Sequence, residues 1–432
     1  MAEPFVSVVN LGCRVNRVES DRISLEFTER GFAVVDQADA DLVVVNTCAV
    51  TGEAEAKTRK AVRHALSLPR DPYVVVTGCA ANLHPESLSE LSERVVVEPS
   101  KIDVVARAQD LLGFYGGGGA EPDQASAMRG LGRSRLGVKI QDGCNNRCTY
   151  CIVWKARGPE RSVPVEGVLD QVRSISAAGI PEAVLTGVNL GAYAGSYGSD
   201  SLIEIDELLS IILDETDIPQ VRLSSIEPDD VSERLVGVMA KHPDRVAPFL
   251  HLPLQSGCTA TLERMGRHYT AREFSELVGM IRGALPSIAL SCDVIVGFPG
   301  ETDVEFAQSL ELCEEVGFSR MHVFRYSSRP GTLAAEAPEQ VAPEVMAERS
   351  LAMRELARRM AVADAGRRVG TRENVVLEYG DAGTTGSFHR IRVEGVGAVG
   401  PRGLISVDII GVDDEGSLMG RAIPEPSRPP RT

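Results

Sequence analysis

Leu136-Gly-Val-Lys-Ile140 runs directly into Gln141-Asp-Gly-Cys144-Asn-Asn-Arg-Cys148-Thr-Tyr-Cys151. The first five residues read as a short buried strand. The next eleven put three thiols on one loop at its carboxyl end. Three thiolates so close together suit a soft metal centre, and three rather than four leave one corner open. A structural zinc site would need a fourth ligand, and the nearest histidines (His64, His84, His242 and His251) are far away along the chain. Further strands are expected at Ala183 to Thr186, Gln220 to Ser224, Phe249 to Leu252, Ala289 to Val296 and Arg320 to Phe324. Helical patterns such as Val165 to Ala178 and Asp303 to Val316 separate them. Repeated βα units over residues 133–367 predict a full or partial β/α barrel with its functional groups at the carboxyl ends of the strands.

Upstream, residues 1–115 carry β-branched runs at Phe5 to Leu11, Asp41 to Val45, Tyr73 to Val76 and Arg94 to Val97. Continuous runs of this kind predict buried parallel strands of an α/β sheet. Cys13, Cys48 and Cys79 each follow one of the first three runs, at intervals of 35 and 31 residues, about one βαβ repeat. Three thiols therefore reach the sheet edge where open α/β sheets place ligands. Buried filler explains one such cysteine easily and three in phase poorly. Cys258, Cys292 and Cys313 share no phase and read as buried thiols.

Residues 116–132 are glycine-rich at their start and read as a linker. After a helix from Pro343 to Arg368, residues 368–423 carry short runs at Asn374 to Glu378, Ser387 to Val393 and Leu404 to Ile410, which predict a small all-β barrel. Residues 424–432 read as a disordered tail. Gly395-Val-Gly397-Ala-Val-Gly400 matches a dinucleotide-binding pattern in letters, but a proline and a strand follow it where a helix is required. His251, His268 and His389 are isolated in sequence, and satisfied or solvent-facing histidines are expected.

A length of 432 residues predicts two or three domains, and no apolar run approaches the roughly 20 residues of a membrane helix. The amino terminus lacks a basic and apolar leader pattern, so a cytoplasmic protein with no membrane partner is expected. In a reducing compartment nine cysteines point to metal or catalysis rather than a disulfide framework. The net charge of −16, taken alone, argues against a polyanionic partner. Yet from Arg129 to Arg161 eight basic residues face two acidic ones, and from Arg349 to Arg372 seven face two. Phosphate contacts are therefore expected from Arg133, Arg135, Arg157, Arg161, Arg358 and Arg359.

The triplet Cys144, Cys148, Cys151 resembles the cluster loop of radical S-adenosylmethionine (SAM) enzymes. Together with Cys13, Cys48 and Cys79 the chain resembles the methylthiotransferases over nearly its whole length. That resemblance implies an N-terminal cluster domain, a central radical SAM barrel and a C-terminal β-barrel of the TRAM type. Asn10 to Ser20, Lys139 to Cys148, Leu185 to Gly191, Arg222 to Pro228 and His251 to Cys258 look most like the branch acting on N6-threonylcarbamoyladenosine at position 37 of tRNA. Trp154 departs from the family, which commonly has proline there.

The resemblance implies two [4Fe–4S] clusters, one on each cysteine set, each with an open iron. The one at Cys144, Cys148 and Cys151 would bind SAM and yield a 5′-deoxyadenosyl radical; the one at Cys13, Cys48 and Cys79 would deliver sulfur. Tyr150 is a candidate adenine contact. Thr186, Gly187, Asn189, Ser225 and Glu227 are candidates for the SAM ammonium and ribose, with Gln255 and Gly297 closing the pocket. No catalytic residue beyond the cluster ligands is assigned. Implied partners are SAM, the tRNA anticodon loop, an electron donor and a sulfur source. Two other readings stay open: a methylthiotransferase of isopentenyladenosine or of a ribosomal-protein aspartate, and a non-catalytic iron–sulfur RNA-binding module.

Overall fold

The computed structural model describes residues 3–115, 124–198, 201–396, 403–414 and 416–423. The first half of the expected linker, most of the glycine pattern at 395–400 and the expected tail lie outside the described residues. Gln124–Gly130, expected as linker, is helical. Ala125, Met128 and Leu131 pack against the central core from it at roughly one-turn spacing, a period hidden by the glycine-rich composition that precedes it.

The N-terminal sheet consists of β1 (Phe5–Asn10), β2 (Ala33–Val34), β3 (Leu42–Thr47), β4 (Tyr73–Gly78) and β5 (Val95–Val97), all parallel, in the order β2-β1-β3-β4-β5. Every residue of β3 is buried. Val43 and Val45 enter one apolar cluster with Val62, Val74 and Val76, while Leu42 and Val44 enter another with Phe27, Phe32 and Val75. Alternate side chains thus feed two cores, which is why the sequence is continuously apolar. Strand order reverses between β1 and β3, and that crevice opens at the strands' carboxyl ends.

The central unit carries β6 (Arg135–Lys139), β7 (Glu182–Thr186), β8 (Gln220–Leu223), β9 (Phe249–His251), β10 (Ala289–Val296) and β11 (Arg320–Arg325). Parallel ladders join β6 to β7 to β8 and β9 to β10 to β11, and parallel bridges at Val221–Val246 and Ser225–His251 link the two halves. Among the described residues no ladder joins β11 back to β6, so the barrel is partial. The helix α1 (Arg14–Glu29) of the N-terminal unit lies against β6. A Cβ on Gly137 would stand 2.1 Å from Val18 Cγ2, so only glycine lets α1 approach this closely.

The 26-residue helix Pro343–Arg368 leads to a closed five-stranded barrel over Arg372–Ala422. Its loop residue Phe388 reaches the amino-terminal end of the central barrel. There the Arg222 guanidinium donates to Gly386 O (2.8 Å) and Thr385 O (3.2 Å) while pairing with buried Glu182 (2.8 Å). Among the described residues, no helix is long and apolar enough to cross a membrane.

Candidate metal centres and the lumen between them

Cys13 caps the start of α1, Cys48 follows β3 and Cys79 begins a short helix after β4, so the three expected thiols share one sheet edge. Two glycines make the convergence possible. Gly12 (φ 106°) would place a Cβ 2.4 Å from Cys48 Cβ, and Gly78 (φ 94°) would place one 2.5 Å from Thr47 O. Both positions exclude any side chain. Asn16 stitches the floor of this edge, donating to Leu11 O and Thr47 O, each at 2.8 Å. Burial, reinforced by the neighbouring Cys13 and Cys79, pushes the Cys48 thiol up to about 11. Cys13 is exposed, whereas Cys48 and Cys79 are buried.

The second set lies on the loop after β6. Gln141 anchors it: its Oε1 accepts from Val188 N and Asn189 N (both 2.9 Å) and its Nε2 donates to Gly143 O (3.0 Å). Burial pushes the Cys144 thiol up to about 11 and the Cys151 thiol up to about 12, with mutual thiolate repulsion adding to both. All six thiols are free. Among the described residues no three His, Cys, Asp or Glu side chains meet at the single point a mononuclear ion occupies. A cluster asks for something different, since each of its thiolates takes its own iron, and three facing thiols on one rim fit that demand.

Unpartnered polar atoms lie at the strand ends and loops on the same side of the barrel as the second set. Asn189 Oδ1, Asp230 Oδ2 and Ser224 Oγ are buried without a partner in the protein. Burial raises the Asp230 carboxyl to about 6, against a hydrogen bond with Asn189. Glu227 is ion-paired with Arg267, whose Nη1 also lies 3.5 Å from Cys148 Sγ. Burial, outweighed by Glu227, leaves the Arg267 guanidinium firmly protonated. Tyr150 stands edge-on to Phe298 (6.4 Å between ring centroids) within an apolar cluster of Met265, Phe298 and Tyr326. Tyr150, Asn189 and Glu227 are therefore brought together beside Cys148. Gln141, inside the Lys139 to Cys148 stretch, joins them, and Arg267 and Asp230 do so without any sequence signal, because each is a lone charged residue outside a pattern.

The other expected SAM contacts have local structural work. Thr186 Oγ1 donates to Val184 O (3.1 Å), and Ser225 bridges to His251. A Cβ on Gly187 would stand 3.0 Å from Gln141, and one on Gly297 2.1 Å from Met346, so both glycines allow close packing. Gln255 adopts φ 64° and exchanges backbone bonds with Asp293 and Ile295.

Arg157 is a correction. It is buried, not offered to phosphate: its guanidinium donates to Glu19 (2.9 and 3.2 Å), Asp142 (2.9 Å) and Asn16 (2.6 Å). Lys139 adds bonds to Glu19 (2.6 Å) and Asp142 (2.7 Å), and Lys101 pairs with Glu19 as well. This network ties the N-terminal thiol edge to the second cysteine loop. Burial pushes the Glu19 carboxyl up, and Arg157, then Lys101 and Lys139, outweigh it and hold it at about 2. Arg135 is also drawn inward, pairing with Glu378 (2.5 Å). Arg133 pairs with Asp21, Arg161 with Asp142, Arg358 with Glu355 and Arg359 with Glu314; of these, Arg161, Arg358 and Arg359 are exposed. Trp154 is stacked by Arg147 at 4.0 Å.

Of the three histidines expected to be satisfied or solvent-facing, His268 is exposed and the other two meet side-chain partners. His251 meets Ser291 Oγ (2.8 Å) and Asp293 (3.3 Å), and His389 meets Ser387 Oγ (3.0 Å) and Asp364 (3.1 Å). Cys258, Cys292 and Cys313 are buried.

A partial parallel barrel with a three-thiol loop after its first strand defines a radical SAM enzyme. Two family descriptions match the chain: Radical SAM superfamily over residues 138–313 and Uncharacterized protein family UPF0004 over residues 6–98. The solved radical SAM methyltransferase TsrM from Kitasatospora setae superposes with a TM-score of 0.54 at 17% identity, covering 77% of each chain, a likeness of fold. Among curated proteins, the threonylcarbamoyladenosine tRNA methylthiotransferase MtaB of Thermotoga maritima is 35% identical over 87% of this chain and 86% of its own. The protein of that name in Bacillus subtilis is 35% identical over 80% of this chain and 78% of its own. A tRNA-2-methylthio-N(6)-dimethylallyladenosine synthase of Bdellovibrio bacteriovorus is 32% identical over 87% and 85%. The chain belongs to the radical SAM methylthiotransferase family, and within it to the MtaB-like members.

Proposed function

We propose that this chain is a tRNA methylthiotransferase that replaces the C2 hydrogen of N6-threonylcarbamoyladenosine, at position 37 in the anticodon loop, with a methylthio group. The observation that carries this reading is the pairing of two thiol sets through the Arg157–Glu19–Asn16 network in a chain 35% identical over 87% of its length to a protein of that activity. Cys13, Cys48 and Cys79 would hold one [4Fe–4S] cluster, and Cys144, Cys148 and Cys151 the other. With SAM bound they supply the one-electron chemistry and the sulfur that an aromatic C–H bond requires, since no side-chain base ionises such a bond at neutral pH.

The protein's own residues position and shield. Asn189 Oδ1 and Asp230 Oδ2 are acceptors suited to the SAM ammonium and ribose, and Arg267 fixes the Glu227 carboxylate beside them. Tyr150, Phe298 and Tyr326 form an apolar wall that excludes water from the reacting face. Arg358 and Arg359 are exposed and held by surface ion pairs worth about 0–1 kcal/mol, so a phosphate displaces their partners at little cost, while exposed Arg161 is steadied by Asp142 and by the carbonyls of Arg157 and Pro159. An external electron donor and a sulfur source complete the reaction, in the cytoplasm. The test is anaerobic reaction of the cluster-loaded enzyme with SAM, dithionite and tRNA carrying either threonylcarbamoyladenosine or isopentenyladenosine, followed by nucleoside mass spectrometry. Methylthiolation of the first tRNA is expected; conversion of only the second would overturn the substrate assignment.

A further inference from the structure

The lumen of the partial barrel holds more positive charge than its carboxylates neutralise. Arg14, Arg135, Arg222 and Arg320 all stand around the ring of Phe388, at 5.2, 5.5, 4.9 and 5.6 Å from its centroid. Arg222 is paired with Glu182 and Arg135 with Glu378, while Asp293, beside His251, also attracts Arg14, so three carboxylates face four guanidiniums. The guanidiniums of Arg14 and Arg320 make no hydrogen bond and no close ion pair among the described residues. Both side chains, and that of His322 beside them, still meet solvent. Two guanidiniums without a close carboxylate, gathered with two further cations around one ring, repel one another, and an anion placed among them relieves that repulsion. Phe388 itself is held at φ 69°, where side-chain-bearing residues rarely sit, so the loop that brings the ring to this spot is constrained to do so.

Arg14 is the next residue after Cys13, the one exposed thiol of the N-terminal set. A substrate whose C2 faces that set turns its N6 substituent to the same side of the ring, because C2 and C6 flank a single ring nitrogen. Threonylcarbamoyl carries a carboxylate at the end of that substituent, and isopentenyl carries only hydrocarbon. Guanidinium is the side chain best matched to a carboxylate, through paired parallel hydrogen bonds. We propose that Arg14 and Arg320, over the Phe388 floor, form the seat for the carboxylate of the threonylcarbamoyl group and so set the choice between carboxylate-bearing and prenylated adenosines. This inference rests on the substrate reading above. The SAM carboxylate is a separate matter, since the groups facing Cys144, Cys148 and Cys151 are Glu160, Glu227 and Arg267 and none of the lumen arginines.

The experiment measures equilibrium binding to the full-length, cluster-loaded protein of three free nucleosides: N6-threonylcarbamoyladenosine, its methyl ester and isopentenyladenosine. None carries a phosphate, so backbone contacts cannot contribute. The proteins are wild type, Arg320→Gln, Arg320→Lys and Arg14→Gln, each checked for iron content and SAM affinity. Wild type is expected to prefer the acid over the ester by about tenfold to a hundredfold, the range of one charged hydrogen-bond pair. Arg320→Gln and Arg14→Gln are each expected to cut that preference to less than about threefold, while Arg320→Lys keeps part of it and SAM affinity stays unchanged in the Arg320 variants. Equal binding of acid and ester by wild type, or an undiminished preference in Arg320→Gln, would overturn the proposal. If wild type still methylthiolates threonylcarbamoyladenosine in tRNA, that failure concerns the seat alone; if it converts only isopentenyladenosine tRNA, the substrate reading fails with it.

Discussion

Replacing Arg157 with Met keeps an unbranched stem close to that of arginine and removes the guanidinium and its charge from a buried network. Arg157 makes four hydrogen bonds, two to Glu19 and one each to Asp142 and Asn16. The Glu19 carboxyl lies at about 2 against an ordinary 4.5, and Arg157 is the largest stabilising cause. At about 1.4 kcal/mol for each pKa unit, that displacement corresponds to roughly 3 kcal/mol. Breaking a buried ion pair by removing one partner typically costs about 3–5 kcal/mol, and Lys101 and Lys139 remain to soften the loss. Arg157→Met is therefore expected to lower unfolding stability by about 3 kcal/mol at pH 7.5. The protein's single tryptophan, Trp154, lies three residues away, so its emission during urea unfolding reports on this interface. The sign of the pH dependence follows from a depressed carboxyl. Its contribution is full above the unfolded value near 4.5 and is lost as pH falls towards 2, so the gap between wild type and variant should be flat from pH 8 to 6 and shrink below 4.5. A loss under about 1 kcal/mol at pH 7.5, or a gap that widens on acidification, would refute the reasoning.

Three other outcomes follow from the same structure. Changing Cys13, Cys48 and Cys79 together to Ala should abolish methylthiolation while SAM is still cleaved to 5′-deoxyadenosine; loss of both activities would contradict separate roles for the two thiol sets. Gly137→Val should push α1 off β6, because even the first added carbon stands 2.1 Å from Val18, and is expected to cost about 2–4 kcal/mol with faster proteolysis between the two units. Arg222→Met should strand the fully buried Glu182 and release the carbonyls of Thr385 and Gly386, for a loss of about 3–5 kcal/mol read by urea unfolding; a neutral effect would mean the C-terminal barrel docks by other contacts.

The strands were readable because burial on both faces writes itself as unbroken β-branched runs, as in Leu42 to Val45. The six cysteines were readable because they repeat in phase with those strands. Charge is less legible. A run of basic residues counted along the chain cannot distinguish Arg161, which faces solvent, from Arg157 four residues earlier, which turns inward to Glu19. The lumen is invisible in sequence for a related reason: Arg14, Arg135, Arg222, Arg320 and Phe388 come from three units spread over almost the whole chain, and only the packing of those units brings them together. Arg267 carries no local signal, because its partner Glu227 is forty residues away.

Two thiol sets on one frame are needed to place a methylthio group on threonylcarbamoyladenosine. The most direct measurement is nucleoside mass spectrometry of tRNA from a host that makes threonylcarbamoyladenosine but not its methylthio derivative, expressing this protein or either triple cysteine variant. The wild-type protein should yield 2-methylthio-N6-threonylcarbamoyladenosine, and each variant none. Absence of that nucleoside with the wild-type protein, or its persistence when either cysteine set is removed, would contradict the account.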